Sequence, residues 1–237
     1  MTEPYRLEIT GPGRNALGST LMRDIIGQLA RAGDRPVLLT GAGETFSAGL
    51  NLKEVAGLDR PGMERYLLLL DDVIDALYGY PGVTVAAVNG PAIAGGCVVA
   101  LCCDVRIAAS DPRTRIGLNE VPLGLEFPPK LLALARSRVP PRSLERVVLE
   151  GALHDPRAAL ALGLLDEIAP DAQTAARAAL ERLAASPRAE YVATKQALRR
   201  GLLDLSEAQR RYFREHIVPA WCAPAVKARV GAVLSRR

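Results

Sequence analysis

Histidine is almost missing from this chain: among 237 residues only His154 and His216 occur. Neither stands in a spacing that offers a third ligand, so a zinc site is not expected, and no Ser-His-Asp order stands out. Cysteine is scarce too. Three of the four, Cys97, Cys102 and Cys103, fall within one apolar run, with Cys222 apart. They read as buried, reduced thiols rather than disulfides or metal ligands. Aromatic residues make up 4% of the chain, so Leu, Val and Ala must fill the core. No apolar run is long enough to cross a bilayer. The opening Met-Thr-Glu-Pro-Tyr-Arg lacks the basic start and apolar middle of a secretory signal, which makes a cytoplasmic location the expectation. Neither a dinucleotide fingerprint nor a P-loop is present. No aromatic-basic interleaving marks an RNA-binding surface.

What remains is an apolar, mildly basic chain. Hydrophobic residues make up 49% of it, enough for one large core. The net charge of +4 is concentrated late: residues 178–237 hold twelve Lys and Arg against five Asp and Glu. Solvated helix faces are the plain reading of that surplus, and a polyphosphate ligand or nucleic acid is the functional one.

Tyr5–Ile9, Val37–Thr40, Val83–Val88 and Val105–Ala109 read as buried strands. Leu17–Ala32, ending at Gly33, and a stretch from Pro61 to about Tyr78 carry helical spacing. Alternation of this kind predicts a layered α/β core. From Pro128 onward the chain reads as mostly helical. No flexible linker appears, so residues 1–180 are expected to form a core and residues 181–237 a helical C-terminal region of one folded unit.

Two glycine-rich stretches stand out. Asn89-Gly-Pro-Ala-Ile-Ala-Gly-Gly-Cys97 follows one strand and opens an apolar helix. Free N–H groups and the positive end of the helix dipole coincide at such a start. Phe46-Ser-Ala-Gly-Leu-Asn-Leu-Lys53 follows another strand and turn. Two converging backbone N–H groups would form an oxyanion hole. Taken singly, each stretch reads as a tight turn.

Taken with Ile116-Gly-Leu-Asn-Glu-Val-Pro-Leu-Gly124, these stretches resemble, in order and spacing, the crotonase (enoyl-CoA hydratase/isomerase) superfamily. Within it the likeness is to mitochondrial-type Δ3,Δ2-enoyl-CoA isomerases. The resemblance implies a spiral of β-β-α turns with a helical C-terminal trimerisation region, an acyl-CoA thioester as substrate, and a homotrimer or hexamer. It implies no cofactor beyond the CoA of the substrate itself; the sequence gives no reason to expect a metal or a membrane, and nucleic acid is not the expected partner. Ala48 and Gly95 match the oxyanion donors by motif position, and Glu120 matches a catalytic carboxylate. A second glutamate of the two-carboxylate hydratases falls on Val98, which can neither take a proton nor orient water. One carboxylate beside an enolate hole implies a 3-enoyl to trans-2-enoyl isomerase.

The same resemblance sets Arg14, Ala16, Ser47, Leu50, Leu52, Val98, Leu123 and Phe127 around the substrate, with Leu125, Met63, Tyr66 and Leu70 as further lining candidates. Glu126 is either a replacement carboxylate or a surface residue, and Asn51 reads as structural. An enoyl-CoA hydratase of β-oxidation, an isomerase acting on acyl-carrier-protein thioesters and a crotonase-fold RNA-binding protein are the competing readings.

Overall fold

The computed structural model describes residues 3–235. Five parallel strands form the main sheet in the order β1 (Tyr5–Ile9), β2 (Val37–Gly41), β3 (Thr84–Val88), β5 (Val105–Ala109), β7 (Glu167–Ala169). Every residue of β2 and β3 is buried. This explains why they read as continuous apolar runs rather than alternating ones: a parallel sheet is covered on both faces.

A second, thinner layer pairs β4 (Ala92–Ile93) in parallel with β6 (Ile116–Gly117). It continues through isolated bridges from Ser47 to Ala92 and from Ile116 to His154. Successive turns stack through backbone bonds: Ile93 N–H donates to Ser47 O at 3.0 Å and Ala94 N–H to Gly117 O at 2.8 Å. The chain thus runs repeatedly from the main sheet to the second layer and then into helix, the expected β-β-α spiral. Close stacking sets a steric demand at Gly96, where a Cβ would lie 2.4 Å from Ser47 O.

The helices before the site are the single turn α1 (Pro12–Asn15), α2 (Ser19–Ala32), α3 (Leu52–Gly57), α4 (Arg60–Tyr78) and α5 (Gly95–Cys102). Helix α4 starts where Pro61 fits the first turn, and its Asp59 cap accepts the Gly62 N–H at 2.8 Å. Met63, Tyr66, Leu67, Leu70, Ile74 and Leu77 recur at helical spacing and are buried. Met63, Tyr66 and Leu70 therefore belong to the core and not to an acyl slot. The Tyr66 hydroxyl donates to Leu17 O and accepts the Asn51 N–H, bracing the segments that carry the site.

Beyond the main strands follow α6 (Pro129–Arg138), α7 (Pro141–Glu145), α8 (Pro156–Ala161), α9 (Ala172–Ala184), α10 (Arg188–Arg199), α11 (Glu207–Tyr212), α12 (Val218–Trp221) and α13 (Pro224–Leu234). The expected division at residue 180 falls inside α9. Part of the late basic surplus is internal: Lys195 and Arg199 both pair with Asp104, at 2.8 and 2.6 Å. The cysteines are free, three of them fully buried, and burial pushes the Cys97 thiol up to about 12. No single helix among the described residues is long and apolar enough to cross a membrane. The bent pair Glu207–Trp221 and Pro224–Leu234, at 54°, meets that length and composition only jointly, and its Trp221, Val226 and Val230 are buried in the fold.

Candidate active site

The segment Ser47–Asn51 threads between neighbouring turns of the spiral, and nearly every N–H in it is engaged. Ser47 N–H donates to Pro91 O, Ala48 N–H to Arg14 O at 3.0 Å, and Asn51 N–H to Leu17 O at 3.2 Å. Gly49 N–H reaches Ser47 Oγ at 3.3 Å. Leu50 is the exception: its N–H has no acceptor among the described residues. Gly95, at the first turn of α5, has no intrahelical acceptor and none outside it among the described residues. The two free donors are close, since a Cβ built on Gly95 would stand 3.5 Å from Leu50 N. Gly49 makes this approach possible: its φ is +86°, and a Cβ there would lie 2.6 Å from Ile93 O.

The position expected for Ala48 is therefore corrected. Its N–H is spent on a carbonyl delivered by a left-handed turn, Gly13-Arg14-Asn15, with φ of 65°, 62° and 58°. The Asn15 side chain ties that turn down by donating to Ala42 O and Thr45 O, and Ser47 Oγ donates to Asn15 O at 2.7 Å. The free donor beside Gly95 belongs to Leu50, two residues further on.

Glu120 follows β6, at the start of a tight turn over Val121–Leu123. Both Leu123 N–H and Leu125 N–H donate to its carbonyl at 3.0 Å, which folds the loop back on itself. The residue is 4% exposed, and Oε2 has no partner among the described residues. Burial pushes the carboxyl up to about 7, because the charged form lacks solvation. Such a group gives and takes protons near neutrality.

Glu120 faces a cavity of about 160 Å³ that is also lined by Ala48, Leu50, Leu52, Leu123 and Leu125. Leu50 and Leu52 continue into an outer cavity of about 410 Å³, bordered by Arg14, Ala16 and Lys53. Arg14 and Lys53 are both exposed, which brings two unburied cations to the outer mouth. A larger cleft of about 610 Å³ lies around Asp104, but Lys195 and Arg199 are already ion-paired with Asp104 there.

Three expected substrate contacts line neither cavity. Ser47 is buried and spends its hydroxyl on Asn15 O. Val98 and Phe127 pack in the hydrophobic core. Glu126 is exposed, and its Oε1 accepts the Tyr212 hydroxyl at 2.7 Å, so it adds no carboxylate to the inner cavity. Asn51 caps α3, accepting the N–H groups of Lys53 and Glu54, which is the structural role expected of it. Asn119, Trp221 and Val233 line the inner cavity and Lys53 and Leu234 the outer one, all without having been anticipated. Asn119 and Lys53 belong to motif segments already singled out. Trp221 and Val233 arrive from far along the chain with no local signal.

The sequence profile of the enoyl-CoA hydratase/isomerase family matches residues 6–222. The mouse protein named enoyl-CoA delta isomerase 1, mitochondrial, is 35% identical over 161 residues, which are 67% of this chain and 56% of that protein. A putative enoyl-CoA hydratase of Thermus thermophilus is 37% identical over 174 residues, 71% of this chain and 68% of that protein. The crystal structure of human mitochondrial Δ3-Δ2-enoyl-CoA isomerase superposes with a TM-score of 0.92 at 30% identity, covering 98% of this chain and 93% of the other.

Proposed function

We propose that this chain, which belongs to the enoyl-CoA hydratase/isomerase family, moves the double bond of a 3-enoyl-CoA to the trans-2 position. The observation that carries this reading is the lone carboxyl of the inner cavity. Among the described residues lining it, Glu120 is the only acid, and it shares the space with Leu50, whose free N–H lies beside that of Gly95.

In this mechanism the thioester carbonyl oxygen accepts from the Leu50 and Gly95 N–H groups. Glu120 Oε2 takes a proton from C2, the C–H electron pair forms the C1–C2 π bond, and the carbonyl π pair moves onto the oxygen, giving a dienolate. The donors and the dipole of α5 stabilise that negative oxygen. The carboxylic acid then returns its proton at C4, the double bond settles between C2 and C3, and the carboxylate is regenerated. Nothing is added to the substrate. Hydration would instead need a second group to hold the attacking water. Val98 is in the core and Glu126 points to solvent.

The outer cavity suits the carrier end of the thioester, with Arg14 and Lys53 positioned for phosphate. The same proposal includes self-association as a homotrimer or a dimer of trimers. Leu198 and Leu202, at 72% and 46% exposed, are apolar surface that a subunit contact would cover.

The test is the product formed from 3-hexenoyl-CoA, with 2-hexenoyl-CoA supplied in parallel. The expected outcome is an isobaric conjugated thioester from the first and little change in the second. Efficient conversion of the second into a product heavier by one water would overturn the isomerase assignment in favour of a hydratase.

A further inference from the structure

The inner cavity is small and bounded by side chains from distant parts of the chain. Its volume is about 160 Å³, and an apolar cavity of about 150 Å³ takes a molecule the size of benzene. Inward of Leu50 and Leu52, where it opens to the outer cavity, the inner cavity has room for roughly six carbon atoms. The reacting atoms of an enoyl thioester, from the carbonyl to C4, must lie here, because Leu50 and Glu120 are here. Little space is left for the rest of an acyl chain.

The C-terminal helices supply the wall that limits it. Trp221 of α12 and Val233 of α13 both line the cavity. They are held against the loop that carries Glu120: Trp221 Nε1 donates to Glu126 O at 2.9 Å, and Arg229 Nε to Leu123 O at 3.0 Å. On the opposite side Lys227 Nζ donates to Leu58 O at 3.0 Å. Trp221 is 1% exposed. To lengthen the cavity, a ligand would have to displace a buried indole and break these bonds, so widening it is costly.

We propose that this site is specific for short acyl chains of four to six carbons, and that Trp221 and Val233 set the limit. The inference rests on the reading of the cavity as the acyl site of a 3-enoyl thioester.

Two series test it on the intact protein. In the first, kcat/KM is measured for 3-enoyl-CoA substrates of four, six, eight and ten carbons. Turnover should be best at six carbons or fewer and should fall at least about tenfold by ten. In the second, calorimetry follows binding of saturated butanoyl-, hexanoyl- and decanoyl-CoA. Affinity should climb about fourfold for each methylene that is buried, up to six carbons, and then stop climbing.

Val233→Ala, at a half-buried position near the end of α13, should move both limits toward longer chains. Trp221→Leu should do so further, with Val233→Ala carrying the test if the tryptophan variant fails to fold. Ten-carbon turnover equal to six-carbon turnover, or affinity that keeps climbing to decanoyl, would overturn the proposal. If no 3-enoyl-CoA is isomerised at all, the assigned reaction fails. The binding series still decides the chain-length limit, flat beyond six carbons in its favour and rising against it.

Discussion

Ala48 N–H donates to the carbonyl of Arg14 at 3.0 Å, while Leu50 N–H, two residues later, donates to nothing among the described residues. On the proposed mechanism that difference separates a structural amide from a functional one. Replacing the Gly49–Leu50 amide by an ester removes a donor that has no partner in the resting fold. It should lower kcat by about 10²–10³, the usual cost of one oxyanion donor, with little change in stability. The same exchange at the Ser47–Ala48 amide should do the reverse. It removes a fold bond at a cost of about 1 kcal/mol and leaves kcat within a few-fold. Semisynthesis with both esters, followed by kinetics and thermal melts, reads the contrast directly.

Glu120 must be ionised to take the first proton. With its carboxyl pushed up to about 7 by burial, kcat/KM should rise about tenfold per pH unit on the acid side and level off above about pH 7. Glu120→Gln keeps the shape and removes the base. Isomerisation should fall by at least about 10²–10⁴, while hexanoyl-CoA still binds. A flat pH profile in the native protein, or near-normal turnover in the variant, would rule out this proton carrier.

The same residue carries a stability prediction of opposite sign. A carboxyl whose folded value lies above its unfolded value holds its proton better in the native state. Stability is therefore lost as pH rises from the ordinary glutamate range through about 7. Above pH 7 the native protein contains a buried, unpartnered carboxylate, and Glu120→Gln does not. The variant should melt higher than the native protein at pH 8, and the difference should shrink toward pH 4. Equal melting curves at pH 8 would mean that the carboxylate is solvated and would undermine the pH profile as well.

Arg14 and Lys53 border the outer cavity with their charges exposed. Arg14→Ala and Lys53→Ala should each raise KM for a CoA thioester by up to about fivefold, as expected for exposed charge pairs, without lowering kcat. Against an N-acetylcysteamine thioester, which carries no phosphate, neither change should matter. High salt should mimic both variants with the CoA substrate. A kcat effect, or an equal effect on both thioesters, would place these cations elsewhere in the chemistry.

Much of the architecture was legible in order of strength of signal. Strands buried on both faces wrote themselves as Val, Leu and Ala runs, and the Gly95 turn and Glu120 stood inside motifs of recognisable spacing. The register of the donors was not legible. Whether Ala48 or Leu50 keeps its N–H free depends on where the Arg14 carbonyl falls. That carbonyl is delivered by a left-handed turn in which Gly13 and Asn15 suit the conformation but Arg14, the residue that supplies the carbonyl, gives no such sign in sequence. Val98 and Phe127 illustrate a second limit: an apolar side chain beside a motif packs into the core or lines a cavity with the same composition. Trp221 and Val233 illustrate a third, because the wall they form depends on how α12 and α13 dock against a loop about a hundred residues earlier.

The stacking of the second layer has a consequence for how such a site diversifies. Leu50, Gly95 and Glu120 each lie just past a second-layer strand segment, in three successive turns held in register by the Ser47, Ala92 and Gly117 backbone bonds. The first two turns contribute main-chain donors, whose approach is set by glycines such as Gly49 and Gly96 rather than by the chemistry of a side chain. The third contributes a side chain. On the proposed mechanism, polarisation of the carbonyl thus rests on the main chain, while proton transfer rests on one side chain. On that mechanism an exchange at residue 120 removes the proton carrier without disturbing how the substrate's oxygen is held.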